Sequence, residues 1–253
     1  MYKIKQKGLV YYQFPHLKKF PGLKHGIFTR IGGNSLSPFN GLNFSYAVGD
    51  NKKNVDSNYE LVSSLMEGFQ IISTHQVHGK NVLIVDENFS NYEDADALAT
   101  NCHNNMLLIK TADCQPVLLF DPQKNVIANI HCGWRGSILN IVDKTICILA
   151  KKYGTKPENI LAGVGPSLGP CCAEFINYKK ELPEKFWKYK VSENFFDFWA
   201  ITHDQLTQTG VLSKNIINSG ICTRCNTDLF YSYRKEKITG RFASFIGILS
   251  KKY

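Results

Sequence analysis

The stretch Lys110–Gly136, KTADCQPVLLFDPQKNVIANIHCGWRG, decides how this chain folds. Gln115 to Asp121 is a mostly apolar run, and Val126 to Ile130 resumes β-branched character after Asp121-Pro122-Gln123-Lys124-Asn125. Two such runs separated by turn-forming residues predict paired strands. Cys114 then lies just before the first strand and His131 just after the second. If the strands run antiparallel, this thiol and this imidazole share one end of the hairpin. Downstream, Cys132-Gly133-Trp134-Arg135-Gly136 reads as a glycine-bearing loop. Ser137 follows as an N-cap for a helix that carries Ile138, Ile141, Val142, Ile146 and Leu149 at helical spacing. A strand, a glycine loop and a helix start can turn backbone N–H groups toward an anion, so this loop is a candidate floor for a site.

A catalytic zinc usually has three protein ligands and an open fourth position, so Cys114 and His131 need a third partner. Ile71-Ile72-Ser73-Thr74-His75-Gln76-Val77-His78-Gly79 ends a short β-like run with two histidines. Residues three apart on a strand face opposite ways, so only one of His75 and His78 joins the pair, and spacing does not choose between them.

The blocks His75-Gln76-Val77-His78-Gly79, Thr111-Ala112-Asp113-Cys114 with Pro116, and His131-Cys132-Gly133-Trp134-Arg135-Gly136 resemble the YfiH-type laccase-domain family. Further matches are Thr29-Arg30-Ile31-Gly32-Gly33, Gly41-Leu42-Asn43 with Gly49-Asp50, Gly163-Val164-Gly165-Pro166 with Cys171, and Phe230-Tyr231-Ser232-Tyr233-Arg234 with Thr239-Gly240-Arg241. They follow the family order over nearly the whole chain. The resemblance implies an α/β (α+β) fold, a single-domain α-β-β-α layered sandwich similar to a bacterial toxin deamidase domain. It implies a zinc-dependent enzyme for phosphorolysis of adenosine, inosine, guanosine and S-methyl-5'-thioadenosine, with deamination of adenosine besides. The metal ligands it implies are His78, Cys114 and His131, which leaves His75 on the substrate side or behind the ligands. His75 or Asp113 is the expected proton carrier, although Asp113 is also placed to cap the turn before Cys114.

With 253 residues, 43% hydrophobic and 20% charged, and no Pro/Ser linker, low-complexity run or repeat, one domain spanning residues 1–253 is expected. The start MYKIKQKGLVYYQFP alternates apolar with polar positions, so neither a signal peptide nor a membrane span is predicted, and the cytoplasm is the expected compartment. Eight cysteines without an export signal read as thiols, buried or metal-bound. The net charge of +9 comes from dispersed lysine pairs with no nucleic-acid-binding signature, which argues for solvated surface and against a nucleic-acid partner.

Leu9 to Phe14 and Gly26 to Thr29 read as strands that deliver Arg30 beside Gly32-Gly33, a setting that suits a bidentate phosphate contact. Arg30 and the Gly133–Gly136 loop with Arg135 are the expected phosphate holders, with Asn43 and Arg241 as further substrate contacts. Asn54 to Phe69 reads as an amphipathic helix, and Val82 to Val85, Ile160 to Val164, Tyr231 to Arg234 and Arg241 to Leu249 as strands. In Glu93-Asp94-Ala95-Asp96-Ala97-Leu98-Ala99-Thr100 the carboxylates read as caps or turn residues, with Asp96 the one to watch. Gly165–Cys172 reads as a stiff loop that would suit either a close ligand approach or a plain turn into a helix, and the resemblance implies that it lines the site; the aromatic residues from Phe175 to Trp199 read as core.

Competing chemistries can be weighed on the same residues. Cys114 beside His131 would also suit a cysteine hydrolase. Cys222-Thr223-Arg224-Cys225 with His75 and His78 would make a closed structural zinc site, but the pairs lie far apart, and two reduced thiols are the expectation for the cysteines. A copper-dependent polyphenol oxidoreductase would need far more than seven histidines with no His-x-His pair, so copper is expected only as an adventitious substitute for zinc.

Overall fold

The hairpin forms as expected. In the computed structural model, which describes residues 1–66, 68–87, 89 and 94–250, Gln115–Asp121 and Val126–Cys132 pair antiparallel, with Pro116 opposite His131. Its turn is local chemistry: Asp121 Oδ1 accepts from the N–H groups of Gln123 (2.8 Å) and Lys124 (3.2 Å), and Asn125 takes φ +52°. The second strand runs further than expected and includes His131, whose N–H donates to the Asp96 carbonyl at 2.7 Å.

Both strands are buried throughout, and their pleat divides the side chains between two layers. Leu118 and Phe120 face the space between two sheets, while Val117 and Leu119 face a helical layer. The first sheet has the order Tyr2–Gln6, Leu9–Gln13, Leu23–Phe28, Phe242–Ile248, Asn105–Thr111, Gln70–Ser73. The second has the order Ile216–Asn218, Leu161–Val164, Gln115–Asp121, Val126–Cys132, Ala97–Thr100, Val82–Ile84. Ile27, Leu107, Ile109 and Ile246 of the first sheet share a core with Leu98, Leu118 and Ile127 of the second. The helix Lys52–Leu65 covers the outer face of the first sheet through Val62, and Ile141–Tyr153 covers that of the second through Ile141, Val142, Ile146 and Leu149. The result is the expected α-β-β-α sandwich.

Three local expectations need correction. The helix predicted to start after Ser137 is two helices, Trp134–Ile138 and Ile141–Tyr153, separated at Asn140, whose φ of +54° asparagine tolerates better than most residues. Ser137 lies inside the first, and its hydroxyl donates to the Gly133 carbonyl at 3.2 Å. Tyr231 to Arg234 is no strand: Tyr233–Glu236 is one helical turn, because Ser232 Oγ accepts from Lys235 N while Glu236 accepts from Ser232 N. The amphipathic helix runs Lys52–Leu65, with Asn51 as its N-cap. Among the described residues no helix is long and apolar enough to cross a membrane.

Candidate active site

Cys114 and His78 both lie where the chain crosses from one sheet to the other. Thr111 ends a strand of the first sheet and Gln115 starts one of the second, so Cys114 sits in the sharp connection between them. Asp113 takes φ +86° there, a strained conformation for a side-chain-bearing residue, and is pinned on three sides. Its carboxylate accepts from Thr223 Oγ1 and Arg234 N, each at 2.6 Å, and its carbonyl accepts from Leu168 N at 2.8 Å. His78 belongs to the crossing from Gln70–Ser73 to Val82–Ile84. The Gln76 amide exchanges two hydrogen bonds with the Lys110 backbone, 2.7 and 2.9 Å, which bolts this segment to the strand beside Cys114.

The choice between His75 and His78 is made by a turn rather than by a pleat. The segment leaves its strand at Ser73 and wraps around the buried Asp96 carboxylate, which accepts from the N–H groups of Val77 (3.3 Å), His78 (2.9 Å) and Gly79 (2.6 Å). His78, at φ +59°, is thereby turned to Cys114, with Nε2 3.9 Å from Sγ. The ligand atoms of His78, Cys114 and His131 all lie within 4.8 Å of one another. His131 Nδ1 meets Asp96 Oδ1 at 2.7 Å, so one carboxylate aims two of the three ligands. With Nδ1–H engaged by Asp96, Nε2 is the His131 nitrogen that faces a cation, which would bind there in place of a proton. Gly133 completes the packing, since a Cβ there would stand 3.0 Å from Cys114 Sγ.

The donor set fits a metal on its own chemistry. Burial alone would raise Cys114, yet the two imidazoles pull it down to about 6; burial alone would lower His131, yet the Cys114 thiolate and Asp96 lift it to about 9. Two imidazoles and a thiolate suit zinc, and among the described residues no fourth His, Cys, Asp or Glu joins the group, which leaves the fourth position open. Asp96 stays below the ordinary carboxylate range: burial would raise it, but the hydrogen bonds from His131, Gly79 and His78 prevail.

These ligands open into a cavity of about 690 Å³, within the size range of small-molecule sites. Its wall includes His75, Lys110, Asp113, Gly133, Arg234 and Arg241, with Trp134, Leu168, Phe175 and Phe198 as apolar surface. His75 Nδ1 lies 2.8 Å from Asp94 Oδ1. Burial pulls the Lys110 ammonium down to about 8.

Three expected substrate contacts are not on that wall. Arg30 is spent on structure: Nη1 is 2.8 Å from Glu236 Oε1 and 2.9 Å from the Thr227 carbonyl, and the guanidinium lies over the Tyr231 ring. Asn43 is buried behind the wall, where it accepts from Arg241 N at 2.8 Å and donates to Asp50 at 2.8 Å. Arg135 is exposed and lies over the Trp134 ring, because the turn of helix that carries it points it outward. Lys110 belongs to none of the sequence motifs, yet a lysine ending the apolar run Met106-Leu107-Leu108-Ile109 is a visible anomaly. Of the acidic block before Ala97, Glu93 lies outside the described residues.

A family model described as multi-copper polyphenol oxidoreductase laccase matches residues 24–249. The chain belongs to this laccase-domain family. Family members most like it include the purine nucleoside phosphorylase YfiH of Escherichia coli K12, 34% identical over 87% of this chain and 92% of that protein. The purine nucleoside phosphorylase of Haemophilus influenzae is 32% identical over 86% and 91%. In structure, YlmD from Geobacillus stearothermophilus superposes with a TM-score of 0.87 at 25% identity, covering 98% of each chain. The family's descriptive name implies many copper ions, whereas the groups here that could hold a metal, among the described residues, are the His78–Cys114–His131 set and four cysteines. Neither is the histidine-rich array a copper cluster needs.

Proposed function

We propose that this chain is a zinc-dependent purine nucleoside phosphorylase acting on adenosine, inosine, guanosine and S-methyl-5'-thioadenosine, with adenosine deaminase activity. The observation that carries the reading is the convergence of His78, Cys114 and His131 on a cavity whose wall includes both the cations Lys110, Arg234 and Arg241 and the aromatic residues Trp134, Phe175 and Phe198. The relatives named purine nucleoside phosphorylase support it.

His78, Cys114 and His131 would hold the zinc, which when bound supplies Lewis acidity and lowers the pKa of a coordinated water. The residues around it divide the remaining work. Lys110 and Arg241 bind inorganic phosphate against the sugar, with Arg234 adding positive field. A phosphate oxygen forms a bond to C1' of the ribose as the C1'–N9 bond breaks, and its electron pair goes to the base. The cations hold the phosphate's charge next to the cationic sugar that develops in between. His75, whose Nδ1–H is held by Asp94, would as the imidazolium give the departing base its proton from Nε2. Phe175, Phe198 and Trp134 offer faces for the purine ring and exclude water from it. For deamination the same cavity admits water in place of phosphate: its oxygen bonds to the ring carbon bearing the amine, the bond to that amine breaks, and the amine takes up a proton and leaves as ammonia.

A second reading, a cysteine hydrolase, is favoured by the lowered Cys114 thiol beside His131. A metal bound to the thiolate would remove it as a nucleophile, so metal content separates the two. The test is to purify the protein, measure its zinc, and incubate it with adenosine with and without phosphate while following adenine, inosine and hypoxanthine. Zinc at one equivalent or more and phosphate-dependent adenine, both diminished in folded His78→Ala and Cys114→Ala variants, are expected. A metal-free protein that leaves every nucleoside untouched would sink the reading and leave the hydrolase.

A further inference from the structure

Away from the cavity's metal ligands, four cysteines meet. Cys171 and Cys172 follow the strand Leu161–Val164, and Cys222 and Cys225 follow its parallel neighbour Ile216–Asn218. The pairing continues past the strand ends, as Ser167 N donates to the Ile221 carbonyl (3.1 Å) and Thr223 N to the Ser167 carbonyl (3.0 Å). Two loops thus leave one sheet edge side by side, each carrying two thiols. The four Sγ atoms all lie within 4.8 Å of one another. The C-x₂-C pair groups with these thiols rather than with His75 and His78.

We propose that Cys171, Cys172, Cys222 and Cys225 form a closed tetrathiolate site for a structural zinc ion. The spacing carries the argument. A zinc–sulfur bond of about 2.3 Å places the corners of a regular tetrahedron roughly 3.8 Å apart. Cys225 Sγ lies 3.7 Å from Cys171 Sγ and 3.5 Å from Cys172 Sγ. A disulfide would need about 2.05 Å, and all four cysteines are free. Two of the four sulfurs accept hydrogen bonds as well: Gly169 N donates to Cys222 Sγ at 3.3 Å, and Arg224 Nη1 donates to Cys172 Sγ at 3.4 Å. Four sulfurs around one ion leave no open position, so the site staples rather than catalyses.

What it staples is the cavity wall. Thr223, between two of the ligands, holds Asp113 Oδ1 at 2.6 Å, and Asp113 precedes Cys114. Arg234 donates to the carbonyls of Glu174 (2.8 Å) and Cys172 (3.5 Å), so the thiol loop also seats a cation of the wall.

The experiment uses a His78→Ala/Cys114→Ala double variant of the full chain, expressed with zinc, which lacks two ligands of the cavity site and keeps all four thiols. Metal analysis is expected to give one zinc per chain, and X-ray absorption at the zinc edge a first shell of four sulfurs. Adding Cys225→Ser is expected to remove that zinc and lower the melting temperature. A double variant without zinc, a zinc with nitrogen or oxygen in its first shell, or a disulfide among the four cysteines found by mass spectrometry would each overturn the site. The absorption measurement needs no substitution among the four cysteines of the site, so a Cys225→Ser protein that fails to fold leaves the test intact.

Discussion

Two buried aspartates stand at opposite ends of the same hairpin, and they do different work. Asp121 closes the turn end, accepting from the N–H groups of Gln123 and Lys124, two and three positions away. Asp96 stands at the other end and gathers Val77, His78, Gly79 and His131, from 17 to 35 positions distant. Both are fully buried, so burial of a carboxylate does not mark a functional residue. What it aims does: Asp121 shapes a loop, whereas Asp96 orients at once the two histidines proposed to hold the metal.

The largest expected effect follows from replacing Asp96 by Asn. The amide would set a donor against either Gly79 N–H or His131 Nδ1–H, and facing His131 it would move the proton to Nε2 and take away the ligating lone pair. Metal affinity should fall by about 10- to 100-fold, with phosphorolysis falling alongside it. A folded Asp96→Asn protein that keeps wild-type metal affinity in a chelator competition breaks the contrast between the two aspartates.

The same logic separates two arginines. Arg30 is already neutralised by Glu236, while Arg241 lines the cavity and, among the described residues, donates only to the carbonyls of Thr239 and Gly240. Arg241→Gln should raise the KM for phosphate roughly tenfold or more, the scale of one lost charged hydrogen bond. Arg30→Gln should lower the melting temperature and leave that KM alone. Steady-state kinetics at varied phosphate decide between them.

A smaller effect should come with pH. Lys110, lowered to about 8 by burial, loses its charge as pH rises through that value, so phosphate should bind more weakly from about pH 8 upward. The excess KM at pH 9 over pH 7 should shrink in Lys110→Arg, whose charge persists; equal profiles in the two proteins would remove Lys110 from phosphate binding. At the turn end, catalysis should not respond at all. Asp121→Ala should cost about 1–3 kcal/mol by stranding two N–H groups, measured by denaturant unfolding, with kcat/KM unchanged per folded molecule.

The parts of the site that could be read from residues alone are those whose partners are close in sequence or forced by alternation. The hairpin, with Cys114 and His131 at one end, follows from two apolar runs and a turn. Gly133 follows from the loop beyond. The break at Asn140 and the helical turn at Tyr233 did not, because each rests on one backbone conformation or one local cap rather than on periodicity.

Arg30 and Arg241 show the sharper limit. Both are arginines beside glycines in blocks typical of the family, and nothing in their neighbours distinguishes them. Glu236, more than two hundred positions after Arg30, occupies one guanidinium and not the other. The four cysteines carry the same lesson, since Cys171-Cys172 and Cys222–Cys225 meet only because two parallel strands leave one sheet edge together. The hairpin and the kinds of donor available are legible in the residues alone, since hydrophobic alternation and turn chemistry act over a few residues, while the layered architecture was implied by the family resemblance. Only the tertiary structure decided which histidine turns to Cys114, which arginine faces the cavity and which thiols meet, because those depend on where chains cross between the two sheets.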